Sequence, residues 1–318
     1  MASTMHGIKC TVFEQDKALD ARPRDWNFGI YWAQVPLYGK RLTHVESDGQ
    51  SVQAQFDDGS SATGNLLIGA EGAHSKVREF IVGKEEATLE KVPLVASVTM
   101  AKLPADAATL FTKLHHRNTV SFHPNGYFTW LGVHDAFEGT KPGDWTFMII
   151  QSWIPKQPYD PSSLTGEDIL KDMKERAKHY AEPFNSIFQS IPKDTRCWHN
   201  QLSHWLPRPW DNRNGTVTLV GDAAHPMTFH RGQGLNNAIH DAASLAQKLK
   251  DRNQNSDDTS PSPVSAAIAA YEDEMRTRGK EAVLASTQNS LSTHDWNTLL
   301  KSPLFTAGLA QKVKKEVE

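Results

Sequence analysis

Apolar positions in this chain come in short runs whose period changes along its length. From residue 38 to residue 83 they first alternate with polar ones through Arg41 to Glu46 and Ser51 to Phe56, with turn formers at Asp48-Gly49 and Asp57-Asp58-Gly59. Period-two alternation cut by such turns predicts a meander of short strands. An apolar strand, Asn65-Leu66-Leu67-Ile68, then stops at Gly69-Ala70 before Glu71-Gly72-Ala73-His74-Ser75-Lys76-Val77-Arg78, whose charged end reads as helical. Small residues at that point let a ligand approach the backbone. Residues 92 to 155 hold further strand candidates, notably Tyr127 to Val133 and Trp145 to Trp153, parted by Gly139 and Pro142-Gly143, which predicts a second sheet. Its aromatics, Phe122, Tyr127, Phe128, Trp130, Trp145 and Phe147, read as core ahead of a ligand wall. From Gly166 the period becomes helical, with Ile169, Met173, Ala177 and Tyr180 forming a core stripe that Pro183 and Pro192 interrupt.

Two further stretches carry candidate chemistry. Gly7 to Asp16 reads as a buried strand with an acidic tip, and the second strand of a dinucleotide-binding unit ends in such an acid, roughly 20 residues after a glycine-rich turn. Glu14 is the candidate; an edge strand with a solvated Glu14 is the other reading these residues leave open. Counting back from Glu14 passes Met1, so the turn is not expected in this chain. The second stretch reads as a strand, Thr216 to Val220, then Gly221-Asp222-Ala223-Ala224-His225-Pro226, then Arg231-Gly232-Gln233-Gly234-Leu235-Asn236-Asn237 opening a helix to about Lys250. An acid at the carboxyl end of a parallel strand can hold sugar hydroxyls, and glycines at a helix start expose unpaired amides and the positive dipole end to an anion. A nucleotide or flavin suits both. Gly232 and Gly234 alone would read as a tight turn; the preceding strand and acid turn the balance. Asp251 to Pro263 is a polar loop, and Ala266 to Ser286 resumes helical spacing with Ile268, Tyr271, Met275 and Val283 near one face.

Composition narrows the field. A chain of 318 residues that is 38% hydrophobic can bury more than one core, so two domains are expected. Its net charge of −3 provides no basic field for nucleic acid or an anionic membrane surface. No apolar run approaches the roughly 18 residues of a membrane span, and no leader is expected at the N-terminus. Two cysteines, Cys10 and Cys197, fit a reducing compartment, so a cytoplasmic protein is expected. His115-His116 and His225/His230 lack a carboxylate or cysteine at ligand spacing, and no metal is expected. Asn214-Gly215-Thr216 reads as a turn before a strand rather than a glycosylation site. The absence of a Gly-x-Ser-x-Gly motif removes a hydrolase of that type.

Together these residues resemble the FAD-dependent aromatic-ring monooxygenases of the para-hydroxybenzoate hydroxylase fold, in particular the fungal members. Gly221-Asp222-Ala223-Ala224-His225-Pro226 through Gly232-Gln233-Gly234-Leu235-Asn236 resembles their second FAD motif, whose Asp contacts ribityl or ribose hydroxyls and whose helix start faces pyrophosphate and flavin. Leu66 to Arg78 resembles the internal motif that serves flavin and pyridine nucleotide, with Glu71 where Asp is usual. Glu14 matches the ribose-binding acid, and Arg22-Pro23-Arg24-Asp25-Trp26 through Trp32 resembles a fungal segment. The family's first strand and glycine-rich turn have no counterpart here, and Trp32 to Tyr38 stands where relatives carry a long stretch with an FAD-contacting arginine and part of the substrate pocket. A truncated, internally shortened chain is the reading.

The resemblance implies an α/β fold: a Rossmann-like FAD-binding domain, incomplete and discontinuous in sequence, with an inserted β-sheet substrate domain and C-terminal helices. The expected boundaries are 1–88 and 206–250 for the FAD-binding parts, 89–205 for the substrate domain and 251–318 for the helical segment. It also implies FAD as cofactor, NADH or NADPH as electron donor, and O2-dependent hydroxylation of an aromatic or polyketide-like small molecule. The expected cofactor-binding residues are Glu14, Glu71, Gly72, Gly221, Asp222, Gly232, Gly234, Leu235 and Asn236; no side chain is assigned a catalytic role. A non-catalytic paralogue or isoform acting as a binding protein is the alternative.

Overall fold

The computed structural model describes residues 3–5, 8–18, 36–156, 160, 163–251 and 263–302. The Arg22–Trp32 resemblance, the 252–262 part of the polar loop and the charged C-terminal tail therefore lie outside the described residues. Along the chain run β1 (Ser3–Met5), β2 (Ile8–Cys10), β3 (Leu42–Ser47), β4 (Val52–Phe56), β5 (Ser61–Gly64) and β6 (Leu67–Gly69), then helix α1 (Lys76–Val82). They are followed by β7 (Glu90–Lys102), α2 (Ala105–Leu114), β8 (Asn118–His123), β9 (Tyr127–Asp135), β10 (Thr146–Trp153), α3 (Gly166–Ala177), α4 (Phe184–Ser190) and β11 (Cys197–His204). The last elements are β12 (Val217–Leu219), α5 (Gly234–Asp251), α6 (Pro263–Thr293) and α7 (Trp296–Leu300). Two compact units result, Met1–Glu90 with Ser203–Ser286, and Lys91–Leu202 with Thr287–Glu318.

In the first unit β6 and β12 pair in parallel, Leu67 opposite Val217 and Gly69 opposite Leu219. All three β12 residues are buried, as an apolar parallel strand requires. Its core joins Val45 and Val52 of the β3–β4–β5 meander, Val77 and Ile81 of α1, Leu245 and Leu249 of α5, and Ile268, Tyr271 and Met275 of α6. The helix expected after Ala266 thus spends its apolar face inside this unit, and the Tyr271 hydroxyl donates to the Leu219 carbonyl at 2.8 Å. The run Gly7 to Asp16 differs from its expectation. Only Ile8–Cys10 is strand, paired antiparallel with Ser3–Met5, and Lys9 to Val12 are exposed rather than buried. Its backbone groups find their ladder in the neighbouring hairpin strand, and the run becomes half-buried only from Phe13, whose ring packs 4.8 Å from that of Phe56. Phe13 alone makes a parallel bridge, to Leu37.

The second unit is an antiparallel sheet in the order β11-β7-β10-β9-β8. Pairing sets Phe147, Ile149 and Gln151 of β10 on one face with Leu131 and Thr129 of β9. On this face Phe147, Ile149 and Leu131 pack with Phe111 of α2, Met173 of α3 and Phe188 of α4, all buried. α2 falls inside the stretch read as strands. Ala107, Ala108 and Phe111 face the core at helical spacing there, a signal too brief to stand out among the neighbouring aromatic runs. A polar layer completes the face: buried Arg176 donates to Gln151 Oε1 at 2.6 Å, pairs with Asp172, and stacks 3.6 Å from the Trp153 ring. Among the described residues no helix is long and apolar enough to cross a membrane.

Candidate functional site

The parallel pair β6–β12 delivers two loops side by side. The Val220 amide still donates to the Gly69 carbonyl at 2.9 Å, so the chains after Gly69 and Val220 leave the sheet together at its carboxyl end. Ligands of open α/β sheets bind at that end. Gly69 is required by crowding, since a Cβ there would lie 2.7 Å from Leu219 Cδ2 and 2.7 Å from Val77 Cβ. Gly72 follows at φ +84, in the left-handed region that glycine enters without strain.

Glu71 is put to local use. Its Oε1 accepts from the Val77 amide at 2.7 Å and from Ser75 Oγ at 2.9 Å, while Ser75 Oγ accepts from the Arg78 amide at 2.9 Å. Two of the open amides of α1 are thereby satisfied. Arg78, enclosed by protein, donates to the carbonyls of Ala73 and Ala223 and packs 5.0 Å from the Trp205 ring. One guanidinium therefore ties the loop after β6 to the loop after β12. Burial pulls its pKa down, against the nearby charges of Glu71 and Glu79.

After β12 the chain turns at Gly221, φ +59, and Gly221–Ala223 forms a single 3-10 turn. The Asp222 carboxylate emerges from this turn open to solvent, and among the described residues no donor reaches it. Protein nevertheless crowds it enough that desolvation raises its pKa, with His225 acting the other way. Asp222 Oδ1 stands 3.8 Å from where a Cβ on Gly234 would project, so the carboxylate lies against the start of α5. There the first intrahelical bond runs from the Asn237 amide to the Gln233 carbonyl, 3.0 Å. The amides of Gly234, Leu235 and Asn236 precede it and have no acceptor within the helix. Gly232 plays another part: its amide is held by the Phe229 carbonyl at 2.8 Å, and its φ of +60 closes the turn before the helix.

Of the sequence-derived residues, Gly221, Asp222, Gly234, Leu235 and Asn236 thus share one corner, with Glu71 and Gly72 on the adjacent loop. Glu14 is placed by other contacts: its amide donates to Leu37, its carbonyl accepts from Lys40, and its Oε1 accepts from the Asp16 amide at 3.0 Å. Sequence reasoning missed Asp241, Arg278 and the role of Arg78. Asp241 was detectable as an acid on the buried stripe of α5 that continues through Leu245 and Leu249. Among the described residues no cluster suits a metal ion.

The residues fit a flavin nucleotide at the Asp222–Gly234 corner, where an unengaged carboxylate and open amides supply an acceptor and donors within one site. Comparison with known proteins points to the same cofactor. Residues 34–286 match the family model described as FAD binding domain. FAD-dependent monooxygenase cctM of Talaromyces islandicus is 45% identical over 373 residues, covering 96% of this chain and 92% of the relative. That alignment is 55 residues longer than the 318 of this chain, so the relative has residues facing gaps within it. FAD-dependent monooxygenase phnB of Penicillium herquei is 32% identical, over 85% of this chain and 66% of the relative. HpxO of Klebsiella pneumoniae, solved with FAD and uric acid, shares the fold at TM-score 0.64 and 23% identity, over 86% of this chain and 62% of that one. Against the latter two, the chain spans just under two thirds of the relative's length. The two loops, their parallel strands and these likenesses place the chain in the FAD-binding-domain family, among the FAD-dependent monooxygenases.

Proposed function

We propose that this chain is an FAD-dependent oxidoreductase of the monooxygenase type, drawing electrons from NADH or NADPH and using O2 to hydroxylate an aromatic or polyketide-like small molecule. The observation that carries the reading is the Asp222 carboxylate, which no donor among the described residues engages, set against the α5 amides that have no acceptor within the helix. FAD held at this corner would supply the electron-transfer and oxygen-activating chemistry. The protein's own part is to bind and orient. Asp222 would accept from ribityl or ribose hydroxyls, the amides of Gly234, Leu235 and Asn236 with the dipole of α5 would favour negative charge, and Gly232 would shape the approach. Gly72 and Glu71 border the same corner from the β6 loop, and Glu14 is assigned to the ribose of the adenosine end.

Residues 89–205 are assigned to substrate. Support comes from the sheet face opposite α2–α4, where pairing aligns Phe128, Trp130, Met148 and Ile150 into an apolar row of which only Trp130 is half-buried and the rest are buried. The free cysteines Cys10 and Cys197 support a cytoplasmic setting.

Asp222→Ala tests the reading. Loss of hydrogen bonds to a charged acceptor is worth about 1.5–3 kcal/mol, so the FAD dissociation constant is expected to rise about ten- to hundredfold in a flavin-fluorescence titration. FAD-dependent NAD(P)H oxidation should fall with it, while the melting temperature without FAD stays near wild type. A wild-type protein that remains colourless after FAD supplementation overturns the proposal. One that binds FAD yet oxidises no NAD(P)H is the non-catalytic alternative.

A further inference from the structure

Asp241 lies on α5, seven residues past Gly234, and is completely enclosed. Its Oδ2 accepts from the Gly221 amide at 2.6 Å and pairs with His225 Nε2 at 2.7 Å, while Oδ1 accepts from Arg278 Nη2 of α6 at 2.7 Å. Arg278 is held in turn by Glu274 Oε1 at 2.7 Å and reaches Asn237 Oδ1, at the α5 start, at 3.1 Å. Burial alone would push the Asp241 carboxyl up; the bonds from His225, Arg278 and Gly221 more than reverse this, and its pKa lies below the ordinary value. His225 is equally enclosed, and among the described residues its buried Nδ1 has no hydrogen-bond partner. The ring rests against Gly279 of α6, where a Cβ would come within 2.9 Å of Cδ2. A buried ring nitrogen left unpaired costs stability, so the ring's place is dictated by its bond to Asp241 rather than by its own satisfaction.

One carboxylate therefore joins α5, α6 and both ends of the turn that presents Asp222. Resting on the flavin reading above, we propose that Asp241 and His225 are positioning residues for the cofactor site: they clamp the Gly221–His225 turn so that the Asp222 carboxylate stands at the amide end of the helix that also carries Asp241. Neither touches the cofactor; both act through Gly221. A comparison carboxylate exists in the same unit. Glu272 is nearly as buried and accepts from Trp210 Nε1 at 2.9 Å, Asn212 Nδ2 at 3.0 Å and Thr218 Oγ1 at 2.9 Å. It holds the segment entering β12, not the turn leaving it.

The test compares Asp241→Asn, His225→Phe, His225→Gln and Glu272→Gln by FAD titration, flavin absorption spectrum, melting temperature without FAD, and amide hydrogen exchange over residues 217–228. Asp241→Asn and His225→Phe are expected to weaken FAD binding at least about tenfold, alter the flavin spectrum and speed exchange in the turn. His225→Gln, which keeps an N–H near the place of Nε2, should recover most of the affinity. Glu272→Gln should lower the melting temperature yet leave the dissociation constant within about threefold of wild type. Wild-type affinity in a folded Asp241→Asn overturns the clamp, as does Glu272→Gln weakening FAD equally; should Asp241→Asn not fold, His225→Phe decides by the same criteria. Failure of the flavin reading shows instead in the wild type, as no FAD uptake. In that case the exchange measurement decides the clamp, and no local acceleration in the variants overturns it.

Discussion

Asp222 and Asp241 are crowded by the same unit, yet their acidities move apart. Desolvation raises the pKa of Asp222, whereas donors surrounding Asp241 overcome burial and lower its own. By linkage, the ionised Asp241 contributes stability that is present above the unfolded carboxylate pKa and is lost as pH falls through its lower folded value. Asp222 shifts the other way, because among the described residues no donor offsets the desolvation of its carboxylate. The type and loop of Asp222 were legible in the sequence. The difference from Asp241 was not, because it depends on donors brought from α6 and the turn. In the second unit His199 is held down at about 4 by burial and then by the Arg176 charge. The unfolded chain, with a histidine pKa near 6.5, binds more protons between those values, so stability falls as pH drops from about 6.5 toward 4 and is full above 6.5. Allowing for its partial exposure, the loss should be on the order of 1–2 kcal/mol. Urea midpoints at pH 7 and pH 4.5 check it: His199→Gln should show the smaller pH dependence, and equal dependence in both proteins contradicts the assignment.

At the scale of elements, the loop after β6 and the start of α1 are one construction. Ser75 caps the helix by accepting from the Arg78 amide, and Glu71 serves the same helix because a glutamate is long enough to reach the Val77 amide. Helix α6 makes a sharper case. A glycine inside a helix normally costs about 0.5–1 kcal/mol relative to alanine, so Gly279→Ala would be expected to stabilise. Here the added methyl meets the fixed ring of His225, at 2.9 Å from Cδ2 and 3.2 Å from Cβ. Overpacking of this kind costs about 1–3 kcal/mol, so the net effect should be a loss of roughly 1 kcal/mol. Thermal melts without FAD check the sign: Gly279→Ala should melt below wild type, and His225→Ala should relieve the added methyl's cost in the double variant. A more stable Gly279→Ala would show that the ring is free to move. Nothing in the sequence pointed to this, since Gly279 and His225 meet only when α6 packs beside the turn.

At the scale of the molecule, a ligand that binds the folded first unit must stabilise it by mass action. FAD at about a hundred times its dissociation constant adds about 2.7 kcal/mol, which for a unit of this size raises the melting temperature by roughly 5–10 °C. The shift should grow with FAD concentration and shrink in Asp222→Ala; a melting temperature indifferent to FAD argues against the site. Periodicity and turn residues alone determined the meander, the parallel strand before Asp222, the helix after Gly234 and the core stripe of α3, because each is a local pattern whose one-sided burial is written in its spacing. The order β11-β7-β10-β9-β8, the antiparallel hairpin in place of a buried strand at Ile8–Cys10, and the meeting of Asp222 with Gly234 were decided only by tertiary structure. Strand partners and the neutralisation of buried charges depend on residues far apart in the chain. Arg78 finding the Ala223 carbonyl 145 residues away is such a pairing, and spacing carries no signal for it.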